Sequence, residues 1–486
     1  MRTQATDCLT NFAGKAALRD GARPPDCAAI PEKCGSRLRI ALLTPYNGGN
    51  LGDAAIQDAI ITNLRLQLPE ALFSGICLNC ENFVERHGSD AFPLCANSSL
   101  FYAMSHGRVS VDMSPKEGGD RKRRGFVMHL KEAIKKVPGL LQALKKLRRC
   151  VLAIPKEIHH LVGGYCFVRQ QDLLIVSGGG QLDEEWGGSW GHPFALFKWT
   201  FLARMARVPC AFVSVGTGKV RSRGSRWFLS MALRLACYRS YRDHNSRKSA
   251  ATLLATAQND PIIPDLAFGC SVSEIPVDDM IRLQSRSRTV VAISPIAYAK
   301  PGHWPRQEQA LYEKYLQQIA KVVSQLVERN YFLVIVWSSL GDDESVIPQI
   351  LERLDDTSKK KLTGQIYVPK IATWRDLAAI LLEVDFLIAS RLHSVILGFV
   401  TQTPTVAISF DPKVNWVVED LGQTEYLLDI RDFKAEDVIE TLDLIKLRSD
   451  SIAVQMRSYQ LGALSASARQ YGALAKLAAA SFRRRN

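Results

Sequence analysis

The residues best placed to do chemistry are Ser390-Arg391-Leu392-His393, where the apolar run 386–389 (FLIA) breaks before a second apolar stretch closing on Asp411-Pro412-Lys413. In α/β proteins the loop from a strand end to a helix start collects ligand groups, because backbone N–H groups and the helix dipole point there. A fixed guanidinium and a titratable imidazole two residues apart suit an anionic substrate and a proton transfer. His393 can equally be a hydrogen-bonded structural histidine, and these residues alone leave both readings open.

Elements able to position such groups recur along the chain. Residues 37–44 (RLRIALLT) form a short apolar strand, followed by a glycine loop with Asn50, Gly52 and Asp53 and then a helical pattern with Ile56, Ile60, Leu64 and Leu66 toward one face. Asp53 is expected to cap that helix. Residues 172–188 (DLLIVSGGGQLDEEWGG) run a buried strand into a loop at Gly178, Gly179 and Gly180, then Asp183. A further strand at 210–218 leads to a helix and to Arg242-Asp243, then Pro264-Asp265. Strand ends rich in Gly and Asp indicate one Rossmann-like domain over 36–270. No G-x-G-x-x-G is present, so nicotinamide and flavin binding gain little support.

After a polar linker at 271–288, a second α/β unit spans 289–430: strands near 289–298, 331–339, 365–370, 385–390 and 405–410 alternate with helices. Residues 431–486 are helical, and 1–35 form a flexible arm. Two such domains enclose a cleft suited to a two-substrate transfer.

With 486 residues and 47% hydrophobic composition the chain supports sizeable cores. It has neither an apolar run of about 18 residues nor a secretory-type N-terminus, so a cytoplasmic protein is expected. Eleven scattered cysteines fit reduced thiols, and Cys77 with Cys80 is a lone C-x-x-C lacking the second pair of a zinc site; no metal is expected. The net charge of +14 concentrates in 105–150, where 13 Lys/Arg face 4 Asp/Glu. Leucines at helical spacing between these lysines fit a basic amphipathic pair of helices divided at Pro138. Such an insertion packs on its own domain or makes peripheral contact with an anionic membrane at its inner face. Without interleaved aromatics, nucleic acid is not the expected partner.

The ordered set Asn50-Leu51-Gly52-Asp53, Ser177 to Gly180, Val215-Gly216, Arg242-Asp243 with Ser246, Pro264-Asp265, Ser390 to His393, Pro404 and Pro412-Lys413 resembles the polysaccharide pyruvyl transferase family over 40–430. The resemblance implies two Rossmann-like domains in a GT-B-like arrangement with C-terminal helices. It implies transfer of the enolpyruvyl group of phosphoenolpyruvate onto a saccharide as a ketal, with no cofactor beyond this donor. His393 is then the proton donor, and Arg391, Leu392, Arg242 and Lys413 hold phosphoenolpyruvate. Asn50, Gly52, Asp53, Gly178, Gly179, Gly180 and Asp183 take the acceptor, a saccharide or lipid-linked oligosaccharide of exopolysaccharide assembly. Two departures stand out, Gly216-Thr217-Gly218-Lys219 where Gly-x-Gly-x-Gly-Pro is frequent and the basic insertion. Alternatives are a GT-B-like glycosyltransferase using a nucleotide sugar and a catalytically silent scaffold of a polysaccharide assembly complex.

Overall fold

The computed structural model of the chain describes residues 37–96 and 140–485, apart from 186, 274, 277–278, 286 and 303–306. The arm expected at 1–35, Pro138 and the insertion up to residue 139 lie outside the described residues. From Leu140 a single helix runs to Arg169, passing through Pro155.

The strands form two six-stranded sheets. β1 (Arg39–Leu43), β2 (Leu72–Cys77), β3 (Ala91–Pro93), β4 (Leu173–Leu182), β5 (Cys210–Thr217) and β6 (Tyr238–Tyr241) lie in the order β3-β2-β1-β4-β5-β6. β7 (Val290–Ser294), β8 (Phe332–Ile335), β9 (Ile366–Tyr367), β10 (Phe386–Ala389), β11 (Thr405–Ser409) and β12 (Leu427–Asp429) lie in the order β12-β11-β10-β7-β8-β9. Every pairing is parallel. Counted from each sheet's own first strand the two orders are identical, so each sheet changes winding direction once, between β1 and β4 and between β7 and β10. Such switch points open a crevice beyond the strand ends.

These strands read as continuous apolar runs because helices cover both faces. Alternate residues of β1 serve different cores: Ile40 and Leu42 join one cluster, Ala41 and Leu43 the other. The first cluster continues without interruption into the second domain and the C-terminal helix. In the Leu51–Gln67 helix, Ile56, Ile60 and Leu64 are buried as expected, but Leu66 is 74% exposed and Ile61 is buried instead. At 3.6 residues per turn, Leu66 stands about 200° round from Leu64, on the opposite side. β2 and β3, absent from the sequence-based assignment, extend the sheet beyond β1, with β3 at its edge and too short to show a period.

The closing helix, Ser449–Arg485, returns to the first domain. Its buried Gln470 donates to Ser214 Oγ at 3.1 Å and accepts from the hydroxyls of Ser240 and Tyr238. Arg485 donates to the carbonyls of Gln171 and Arg169.

Candidate active site

Asn50 starts the Leu51–Gln67 helix: its side-chain oxygen accepts the N–H groups of Gly52 at 3.0 Å and Asp53 at 3.4 Å. The expectation that Asp53 is the cap is therefore corrected. Asn50 satisfies the orphan amides of the first turn, which leaves the Asp53 carboxylate for other work. This turn is fastened across the domains, since Leu51 N–H donates to Ser338 O at 3.0 Å and Leu340 N–H to Gly49 O at 2.8 Å.

The fastening presses Gly52 onto His393. A β-carbon at position 52 would lie 1.9 Å from His393 Cγ, so only glycine allows this approach. His393 occupies the first turn of the Leu392–Val400 helix, and its Nε2 is buried without a hydrogen-bond partner. A buried polar atom without a partner costs roughly 1–3 kcal/mol and marks a place where a ligand can complete the bonding. Leu392, beside it, is half-buried against the core.

Asp53 feels the charges of both His393 and Arg242. Burial pushes its carboxyl pKa up, while the nearby His393 pulls it down, Asp265 adds to the rise and Arg242 opposes it. Arg242 follows β6 and is 3% exposed. It pairs with Asp265 at 3.3 Å and Asp243 at 3.4 Å, and its Nη2 is buried with no partner. Gly216 makes room for it, because a β-carbon there would meet that Nη2 at 2.8 Å. Asp243 also caps the His244–Ala251 helix through Ser246 N–H at 2.6 Å.

The glycines expected as a loop lie inside β4, which continues to Leu182. The register to β5 shifts between Gly179 and Leu182, and Gly179 has φ +75°, a left-handed conformation that glycine adopts freely. Gly179 borders Asp53, and Gly180 borders Lys413; Gly178 packs against Leu266. Asp183, 1% exposed, joins Lys413 of the other domain in an ion pair of 2.9 Å. Burial pulls the Lys413 pKa down, but the Asp183 carboxylate, helped by Asp411, outweighs it and holds the lysine pKa above its ordinary value. Lys413 lies in the first turn of the Pro412–Asp420 helix, whose cap is Asp411.

Arg391 is turned to a different partner. Its Nε and Nη2 each lie 2.8 Å from the carboxylate of Asp343, which is fully buried and also accepts Ala297 N–H at 3.1 Å. Asp343, in the Gly341-Asp342-Asp343 turn after β8, escapes sequence reasoning, although an acidic turn after an apolar strand is the signal that could have flagged it. Asp265 was legible only as a motif member. Each expected cation is thus already tied to a buried carboxylate, which fixes its geometry and offsets its charge.

Asn50, Gly52, Asp53, Gly179, Arg242 and His393 therefore meet at the crevice between the switch points, with Gly180, Asp183 and Lys413 on one rim and Arg391 held by Asp343. The chemistry available is proton transfer at an imidazole beside a carboxyl of raised pKa, flanked by oriented cations. His192, at the start of the His192–Met205 helix, is buried, bonds to Gln181 Oε1 at 3.0 Å, and has its pKa pushed down to about 4 by burial. Among the described residues no group of three or more His, Cys, Asp or Glu could hold a metal ion.

The family model for polysaccharide pyruvyl transferase matches residues 50–412. No curated protein matches the chain. Among solved structures, a UDP-glucose:anthocyanidin 3-O-glucosyltransferase in complex with UDP aligns with TM-score 0.51 at 12% identity, covering 91% of this chain and 99% of that one. The fold is thus the GT-B arrangement. The UDP-GlcNAc 2-epimerase of Methanocaldococcus jannaschii aligns with TM-score 0.47 at 9% identity, over 84% of this chain and 92% of that one.

Proposed function

Because the chain belongs to the polysaccharide pyruvyl transferase family, we propose that it moves the enolpyruvyl group of phosphoenolpyruvate onto two hydroxyls of a saccharide, forming a ketal during exopolysaccharide assembly. The observation that carries this reading is the buried, unpartnered Nε2 of His393, pressed between the domains by Gly52.

In the reaction a proton from His393 adds to the methylene carbon of phosphoenolpyruvate, making it a methyl group and building positive charge at C2. One saccharide hydroxyl attacks C2 and gives up its proton. The second hydroxyl then replaces phosphate, closing the ketal ring. Of the two hydroxyl protons, one in effect replaces that taken from His393 and the other leaves with phosphate. Arg242, with its unpartnered Nη2, Lys413 and Arg391 suit the carboxylate and phosphate of the donor. Asp53, Asp183 and the Gly178 to Gly180 backbone suit acceptor hydroxyls. A lipid-linked acceptor at the inner face of an anionic membrane would explain the cationic 105–150 segment.

The test is to incubate the protein with phosphoenolpyruvate or with nucleotide sugars, together with a pool of lipid-linked glycans, following phosphate release and acceptor mass. The expected result is a pyruvyl ketal that His393→Ala abolishes. Turnover with nucleotide sugar alone would replace this reading with a glycosyltransferase, and turnover with neither donor would leave a scaffold.

A further inference from the structure

We propose that the first-domain face bearing Trp190, Phe201, Met205 and Trp227 docks on an anionic lipid bilayer. These side chains are 76%, 45%, 59% and 55% exposed, although large apolar groups ordinarily seek the interior. Phe201 and Met205 belong to the His192–Met205 helix and Trp227 to the Arg223–Leu235 helix, which pack together, and Trp190 closes the turn just before the first. The rings stack through Phe194, Phe197 and Phe228: Trp190 lies 5.3 Å from Phe228, and Phe197 lies 5.3 Å from Trp227 and 5.9 Å from Phe201. Tryptophan suits the boundary between headgroups and acyl chains because its ring is apolar and its N–H is not.

Charge decides between occupants. From 186 to 242 the sequence carries ten Lys/Arg and no Asp/Glu. Arg204, Arg207, Arg223 and Arg226 of this stretch are exposed. A cavity beside Trp227 is lined by both apolar and cationic side chains, Met231 and Leu253 with Arg226 and Arg234. The 105–150 segment carries 13 Lys/Arg against 4 Asp/Glu, the same sign as this face, so charge gives the two no attraction. A second copy meeting the face by twofold symmetry would set like charges together. A bilayer of anionic lipids accepts both the rings and the cations.

The face adjoins the crevice. Glu184, next to Asp183, accepts the Ser222 hydroxyl at 2.6 Å and Arg221 N–H at 2.7 Å, and Ser189 bonds Ser222 at 2.8 Å. The loop from the Asp183–Lys413 pair to Trp190 is thereby tied to the start of the Arg223–Leu235 helix. A saccharide whose lipid stays in the bilayer would reach the site from this side. That purpose rests on the lipid-linked acceptor reading; the binding itself does not.

The experiment uses the full chain with vesicles of phosphatidylcholine, or of phosphatidylcholine and phosphatidylglycerol in equal parts, and compares it with the Trp190→Ser/Trp227→Ser double variant. Circular dichroism checks that the variant is folded. Cosedimentation should occur with the anionic vesicles only and weaken with added salt. The variant should bind about tenfold less tightly or worse, since it loses the rings that enter the interface. Brominated lipid should quench the tryptophan fluorescence of the parent. Equal binding by parent and variant, absence of binding to anionic vesicles, dimerisation that the same substitutions abolish, or vesicle binding that needs prior removal of 97–139 would each overturn the proposal. Pyruvyl transfer to a short soluble acceptor is measured in parallel and should be unchanged in the variant. Vesicle binding without any such transfer would sink the functional reading and leave the docking surface standing.

Discussion

Gly52 and His393, more than three hundred residues apart in sequence, are in contact so close that a single methyl group on Gly52 would sit 1.9 Å from the imidazole Cγ. Gly52→Ala therefore has to move either the first turn of the Leu51–Gln67 helix or the imidazole. Overpacking of this kind costs about 1–3 kcal/mol of stability, and a displacement near 1 Å in a reacting group lowers turnover roughly 100-fold. Steady-state kinetics with phosphoenolpyruvate, alongside a denaturation curve, checks both; an unchanged kcat would show that His393 is not the proton donor.

The raised pKa of Asp53 has a definite pH signature. The folded protein holds that proton more tightly than the unfolded chain, so the contribution of Asp53 to stability is greatest below the ordinary carboxylate pKa. It is lost as pH rises through the elevated folded value. Asp53→Asn removes this loss, so the variant should gain stability relative to the parent as pH increases from acid to neutral and show no gain at the acid end. Urea melts across that range measure the difference, and a constant offset at every pH would contradict the assignment.

Lys413 and Asp183 join the two domains through an ion pair whose acid is almost fully enclosed. Lys413→Met should cost about 3–5 kcal/mol, because Asp183 is left as a buried uncompensated charge. The Lys413→Met/Asp183→Asn double variant should recover most of that loss. If Lys413 also holds the donor, KM for phosphoenolpyruvate stays raised in the double variant although stability returns. Recovery of both would confine the pair to a structural role.

Gln470 on the closing helix bridges Ser214, Ser240 and Tyr238 of the first domain. Gln470→Ala leaves those hydroxyls short of partners in a buried setting, with an expected cost of about 1–3 kcal/mol. Because the residue lies on the helix that spans both domains, the loss should appear as a lowered Tm with kcat nearly unchanged. A large fall in kcat at constant Tm would mean that the helix governs closure of the crevice instead.

Several features follow from local chemistry and were legible in the chain itself. Strands β1, β4, β5, β7, β10 and β11 announce themselves as apolar runs, since parallel strands are covered on both faces and need no alternation. The break at Ser390 to His393 stands out because polar groups interrupt such a run at a strand end. Leu66 faces solvent although the neighbouring Leu64 is buried, because two residues of helix turn it about 200° away from the apolar stripe. β3 left no trace because three residues cannot establish a period.

What the sequence by itself determined was the two-domain α/β plan, the ordered motifs and the identity of most groups that meet at the crevice. Tertiary structure alone decided their pairing. Arg391 belongs to Asp343 within the second domain, Arg242 to Asp265 within the first as well as to its neighbour Asp243, and Lys413 to Asp183 across the two, and apart from the adjacent Arg242–Asp243 no spacing rule links these partners. The same holds for Gly52 meeting His393. Charge matching and close contact act through space, and only the folded chain brings those distances down to a few ångströms.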